Sequence, residues 1–217
     1  MQKRIEHLHA GFRFPAFDIS TIAEEYKKNI KSFKKNEVMI MHNSCKEDLL
    51  GVVIRGTAYL VGENKAAQRE ILDYFEEGDL FSSHMLLNLS GDIFYIISKY
   101  PCEIVFIDRH QVIECYVKNH PGNTDILDDL LHVYEKKISA HIYILQQRTI
   151  RKKLLLYFKW LSEKYNTCHF VLPLPFIDLA DFLSVDRSAL MREIKKLNHE
   201  QIIKTERRDI TLLRASE

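Results

Sequence analysis

No CxxC or CxxH pair occurs among the four cysteines, Cys45, Cys102, Cys115 and Cys168, so a zinc ribbon or a cluster-binding loop has no local support. No apolar run approaches the ~20 residues of a membrane span, and the opening MQKRIEHLHAGFRF lacks the apolar centre of a signal peptide. These absences point to a reducing cytoplasm, without disulfides and with no membrane partner. Disorder is excluded too: 46% apolar and 28% charged residues give neither the low hydrophobicity nor the charge excess of an unfolded chain. A chain of 217 residues is long enough for two domains.

Net charge is only +1, but it is segregated. From Arg148 onward there are 14 Lys/Arg against 9 Asp/Glu, a balance of +5, while the first 147 residues carry 17 against 21, a balance of −4. A basic C-terminal third attracts phosphate, although such an imbalance alone is weak support.

Thr21 and Glu24 fit a capping box, and Ile22, Tyr26, Ile30 and Phe33 recur at helical spacing, predicting a short amphipathic helix ended by Lys34-Lys35-Asn36. From Glu37 to Val105 the texture changes to short β-branched and aromatic runs, EVMIMHN, LLGVVIRGTAYLVG, REILDYFEEGD, DIFYIIS and CEIVFID. Runs so divided by turn residues predict an antiparallel barrel or roll. Gly62-Glu63-Asn64 is the expected hairpin tip, and Gly78-Asp79 a tight turn.

After Asp108 the strands stop. Pro121-Gly122 precedes Asn123-Thr124, either able to cap a helix running to about Gln147. Within it Leu127, Leu131, Tyr134, Ile138, His141 and Leu145 follow steps of four and three, the seam of a parallel dimer; packing within its own domain would give a similar stripe. His141, the one polar seam residue, is either a pH-sensitive element or a partly exposed interface histidine. Ile150 to Tyr165 reads as a further helix with Leu154, Leu155, Phe158 and Leu161 facing a core, and CHFVLPLP as a short strand.

From Phe176 the order is helix, turn, helix, hairpin. Leu179, Ala180 and Leu183 give the first helix an apolar face, Asp178 sits where the helix dipole favours a carboxylate, and Ser184-Val185-Asp186 is the turn. In the second helix, Arg187 to Asn198, Leu190, Ile194 and Leu197 turn inward. Arg187, Ser188, Met191, Arg192 and Lys195 turn outward, as a helix lying in the major groove requires. Arg187 and Arg192 are the expected base or near-phosphate contacts, and Lys195 and Lys196 the phosphate contacts. IIKTE and ITLL flank a basic turn at Arg207-Arg208-Asp209, the expected wing.

These features together resemble the Crp/Fnr family of bacterial transcription regulators over nearly the whole chain. Arg187-Ser188-Ala189-Leu190-Met191-Arg192 lies over the family's frequent R-E-T-V-x-R pattern, with both arginines matched and Ser188 in the glutamate's place. The resemblance implies an α+β fold: an antiparallel β-roll (a double-stranded β-helix) over 1–120, a dimerisation helix over 121–147 and a winged helix-turn-helix over 148–217. It implies a regulator, not an enzyme, that binds a near-palindromic site in double-stranded DNA as a homodimer and, if an activator, touches RNA polymerase. The missing glutamate removes a carboxylate that accepts from cytosine, so the family's best-known operator is not assumed.

The effector site departs further. Cyclic-nucleotide binders in the family use G-E-L after the G-D turn and an Arg a strand later; here Gly78-Asp79-Leu80-Phe81 leads to Ser82-Ser83-His84, and Asp92-Ile93-Phe94-Tyr95-Ile96 holds no cation. A cyclic phosphate would lie there without a counter-charge, which weighs against cyclic AMP. The clustered N-terminal cysteines of iron–sulfur sensors are absent, and haem would rest on His84 or Cys102 alone. No cofactor or metal is expected; Ser82, Ser83, His84 and Tyr95 are the candidate pocket for an unidentified effector. Two other readings are a sensing module acting through protein contacts, against which the winged helix counts, and a cupin-type metalloenzyme. His42, His84 and His110 are too scattered for the latter.

Overall fold

The computed structural model describes residues 24–41, 49–82, 92–108, 114 and 126–213, with the backbone alone at 41, 49 and 126–134. They fall into two compact units, one within Arg13–Leu131 and one within His132–Glu217.

The first unit is built from eight strands: β1 (Ile30–Phe33), β2 (Glu37–Met41), β3 (Leu49–Arg55), β4 (Ala58–Glu63), β5 (Arg69–Phe75), β6 (Leu80–Ser82), β7 (Ile93–Ser98) and β8 (Cys102–Asp108). They make two four-stranded antiparallel sheets, β1-β8-β3-β6 and β2-β7-β4-β5. Side-chain alternation puts Val53, Phe81, Cys102 and Ile104 of one sheet against Ile40, Leu60, Phe94 and Ile96 of the other in one buried cluster. Phe81 is its centre, 5.3 Å from Phe75 and 6.2 Å from Phe106 between ring centroids. Its ring lies where a Cβ on Gly51 would stand, so β3 passes beneath it only as glycine. Val52, Leu80, Val105 and Ile107 form a second cluster on the other face of that sheet. Burial pushes the Cys102 thiol up to about 11, and Cys102 and Cys168 are both free thiols. Cys45 and Cys115 lie outside the described residues.

Two expectations are corrected here. The predicted helix does not continue through Ile30 and Phe33: after a single 3-10 turn at Lys27–Asn29, residues 30–33 are strand β1, paired with Cys102–Val105. Half-buried Ile30 and Phe33 flank exposed Lys31 and Ser32, and pairing with the edge of β8 gives their backbone groups partners that helical spacing does not reveal. Ile22 and the capping residue Thr21 lie outside the described residues. The β4–β5 tip falls later than Gly62, which sits inside β4 opposite Glu70 and Phe94. The chain reverses at Asn64, whose Oδ1 accepts from the N–H of Ala66 at 2.9 Å and of Gln68 at 3.1 Å.

The second unit contains α2 (Ile150–Tyr165), β9 (His169–Val171), α3 (Phe176–Phe182), α4 (Arg187–His199), β10 (Ile203–Glu206) and β11 (Asp209–Leu212); α1 (Ile126–Leu145) precedes them. The sheet order is β10-β11-β9. Leu154, Tyr157, Phe158 and Leu161 of α2 are buried with Leu179, Leu190, Leu197 and Ile210. Thr149 caps α2, its Oγ1 accepting from Lys152 N–H at 3.3 Å. Although no glycine follows Gly122, three helices end on left-handed residues: Asn166, Ser184 and Gln201, with φ of 51°, 50° and 54°. Each end closes the same way, two successive N–H groups donating back to carbonyls three and five residues earlier. Among the described residues no helix is long and apolar enough to cross a membrane, and no three His, Cys, Asp or Glu gather as metal ligands.

Candidate nucleic-acid interface

Helices α3 and α4 meet at a corner held by backbone and capping hydrogen bonds. Ser184 N–H donates to Asp181 O at 3.1 Å and Val185 N–H to Ala180 O at 3.0 Å, closing α3. Asp186 then caps α4, its Oδ1 accepting from Ala189 N–H at 2.8 Å, as the sequence led one to expect. Lys153 of α2 donates from Nζ to Leu183 O at 2.8 Å. Burial lowers the Lys153 pKa, and its ammonium sits at the carbonyl end of α3, where a cation is favoured.

Leu190, Ile194 and Leu197 bury one face of α4. Arg187, Ser188, Met191, Arg192, Lys195 and Lys196 are all exposed on the other side. Behind them Arg151 of α2 bridges Glu193 at 3.3 Å and Glu200 through a second nitrogen. The Arg151 guanidinium holds the Glu200 carboxyl below the usual carboxylate range. Asn198 fastens the wing: its Nδ2 donates to Ile194 O and Thr205 Oγ1, and its Oδ1 accepts from Thr205 N–H, each at 2.9 Å. Sequence reading missed Arg151, Lys153 and Asn198, because their partners lie 42, 30 and 7 residues away. Only the i−4 spacing of Asn198 to Ile194 gives a local hint.

The exposed cations are not equivalent. Arg192, Lys195, Lys204 and Arg207 are exposed, without a hydrogen bond or ion pair to any described residue. Lys196 lies 3.9 Å from Glu193. Arg187 is paired with Asp181, Nη2 to Oδ2 at 3.0 Å. Arg208, expected beside Arg207 at the wing tip, turns back: Nε donates to Leu172 O at 2.9 Å and Nη2 to Pro173 O at 3.0 Å. The hairpin explains the split. Glu206 pairs with Asp209, leaving a two-residue loop in which Arg207 takes a left-handed φ of 53° and stays in solvent while Arg208 reaches the carbonyls that follow β9.

On α1, Ile138 and Ile142 are exposed at 52% and 51%, and Tyr143 at 58%. His141, expected in the dimer seam, does not lie on that exposed strip. Its ring stacks on Phe182 at 3.9 Å with 7° between planes, and its Nε2 lies 3.1 Å from Phe182 O. The side chains of Leu127, Leu131 and Tyr134 lie outside the described residues; Leu145 is half-buried.

Of the expected effector residues, Ser83 and His84 lie outside the described residues. Ser82 ends β6 opposite Leu50. Alternation from Phe81 puts it on the outer face of its sheet, and alternation from Phe94 and Ile96 puts Tyr95 on the outer face of the other, so the two are not brought together. The Tyr95 hydroxyl donates to Glu63 Oε2 at 3.1 Å, and Arg69 Nε donates to the same oxygen at 2.8 Å. Arg69 and then Tyr95 lower the Glu63 pKa, while burial and the Glu63 contact raise that of Tyr95. Arg69, which meets the same carboxylate oxygen as Tyr95, is therefore already paired.

No family model and no curated protein matches the sequence. Solved structures do match. A CooA mutant from Carboxydothermus hydrogenoformans is 16% identical, covers 94% of both chains and superposes with a TM-score of 0.67. FixK2 from Bradyrhizobium japonicum is 15% identical over 87% of this chain and 98% of its own, with a TM-score of 0.64. A transcriptional regulator of the CRP family from Thermus thermophilus is 16% identical over 85% of this chain and 92% of its own, with a TM-score of 0.58. At these identities it is the fold that is shared. Among the described residues a roll of eight strands, a long helix and a winged helix-turn-helix, in that order, give this chain the α+β fold of the Crp/Fnr regulators.

Proposed function

We propose that this protein is a cytoplasmic, homodimeric transcription regulator that reads a near-palindromic DNA site with α4. The observation that carries the reading is the division of α4: three buried apolar residues on one side, and Arg187, Ser188, Met191, Arg192 and Lys195 exposed on the other. Long donors near the N-terminal end of such a helix reach guanine O6 and N7 in the major groove. Arg192 and Arg187 read bases, Lys195 and Lys196 meet phosphate, and Arg207 extends phosphate contact through the wing. Arg208 positions that wing. RNA polymerase is a further partner if the protein activates.

The dimer seam runs from Leu127, Leu131, Tyr134 and Ile138 into Ile142 and Leu145. Exposed Ile142 supports this path, whereas His141 is engaged by Phe182. The effector, where one acts, is not cyclic AMP: Leu80-Phe81-Ser82 after the Gly78-Asp79 turn holds no glutamate, and residues 92–96 hold no cation to meet a cyclic phosphate.

The test is selection of duplexes from a random pool, followed by titration. A selected inverted repeat with half-sites about one helical turn apart is expected, with Arg192→Ala weakening specific binding roughly tenfold to a hundredfold and relaxing one base preference. Equal weakening on random DNA would remove Arg192 as a reader, and no enrichment at all would overturn the function.

A further inference from the structure

The Arg187–Asp181 pair leaves half of the guanidinium open. Asp181 engages one edge only: Nη2 donates to Oδ2 at 3.0 Å and to Oδ1 at 3.2 Å, and Nε to Oδ1 at 3.4 Å. The other edge, formed by Nη1 and the outer proton of Nη2, meets no described residue, and the side chain is 58% exposed. A guanidinium is a rigid planar fork of five N–H donors with two edges, each able to bind two acceptors side by side. Guanine offers such a pair in O6 and N7. One arginine can thus hold a carboxylate on its flank and a guanine at its tip.

We propose that Asp181 is a positioning residue for DNA reading, holding Arg187 end-on toward the guanine of a G·C pair. The inference rests on the DNA-binding function proposed above and names the base class for one position of its site. Three features favour it. Asp181 lies in the last turn of α3, where the helix dipole disfavours a carboxylate, so the acid is not there to stabilise its own helix. The pair spans the corner between α3 and α4, tying the reader to the rigid part of the motif rather than to its own flexible stem. Ser188, the next residue on the outer face, brings no carboxylate of its own to the groove.

The experiment compares wild type, D181N, D181A, R187A and the D181A/R187A double variant by anisotropy. Each binds the selected duplex, single G·C to A·T changes of it, and random duplex, with thermal melting of each protein as a check on folding. D181N and D181A are expected to melt near wild type and to bind random DNA as well or slightly better, since a negative charge is gone. Discrimination at one guanine should fall about tenfold, R187A should lose preference at that same position, and the double variant should lose no more there than R187A. Equal tightening on selected and random DNA with discrimination kept would overturn the proposal, showing that Asp181 only competes with DNA for Arg187. So would unchanged discrimination, or a defect seen in melting alone. If wild-type protein enriches no sequence, the DNA-reading function itself falls; if it enriches a site that D181N reads equally well, only the role of Asp181 falls.

Discussion

The roll and the winged helix meet the same backbone requirement, a residue with positive φ, by different chemistry. In the roll Gly56 and Gly78 take φ of 92° and 89°. At Gly56 a Cβ would stand 2.8 Å from both Cys102 Cβ and Pro101 O, so only glycine fits between the strands. In the winged helix the left-handed positions fall to Asn166, Ser184, Gln201 and Arg207, all exposed. Asn36 and Ala67 show that the roll also tolerates side chains at positive φ, on exposed turns. The controlling variable is crowding: where strands pass close the residue must be glycine, and where a helix ends in solvent hydrogen bonds hold a strained side chain in place.

Substitutions in both regions sharpen this contrast. Gly56→Ala is expected to cost about 2–4 kcal/mol by chemical denaturation, combining backbone strain with overpacking; a cost near zero would show that β3 and β8 can part, and would erase the distinction. Next come the two arginines of the wing. Arg208→Ala should cost about 1–3 kcal/mol, because the Leu172 and Pro173 carbonyls lose their donors, while Arg207→Ala should leave melting unchanged. On DNA the order reverses: Arg207→Ala should weaken binding to all sequences and reduce the salt slope by about one. Identical behaviour of the two variants would break the assignment. The smallest effect is Ser184→Gly, which relieves the left-handed strain and should stabilise by up to about 1 kcal/mol; destabilisation would mean that the Ser184 side chain has a role its exposure does not suggest.

The site was more legible than its wiring. The inward face Leu190, Ile194 and Leu197, the outward face from Arg187 to Lys195 and the cap at Asp186 were all readable, because each follows from spacing within one or two turns. The exposed apolar strip of α1 was half legible. Steps of four and three fit His141 and Ile142 almost equally, and the stacking partner that settles the orientation of His141, Phe182, lies 41 residues on.

Sequence alone determined what depends on neighbours in the chain: a strand-rich first half, a long helix, and a basic helix-turn-helix with its wing. Those patterns follow from local periodicity and from turn residues that act at fixed offsets. The tertiary structure alone decided that Ile30–Phe33 pairs as a strand, that Gly62 lies inside β4, and that Tyr95 spends its hydroxyl on Glu63. It also sorted the arginines, turning Arg208 onto Leu172 and Pro173, pairing Arg187 with Asp181 and leaving Arg192 and Arg207 open to solvent. A cation has no local preference among carboxylate, carbonyl and phosphate; packing selects its partner by what it brings within reach.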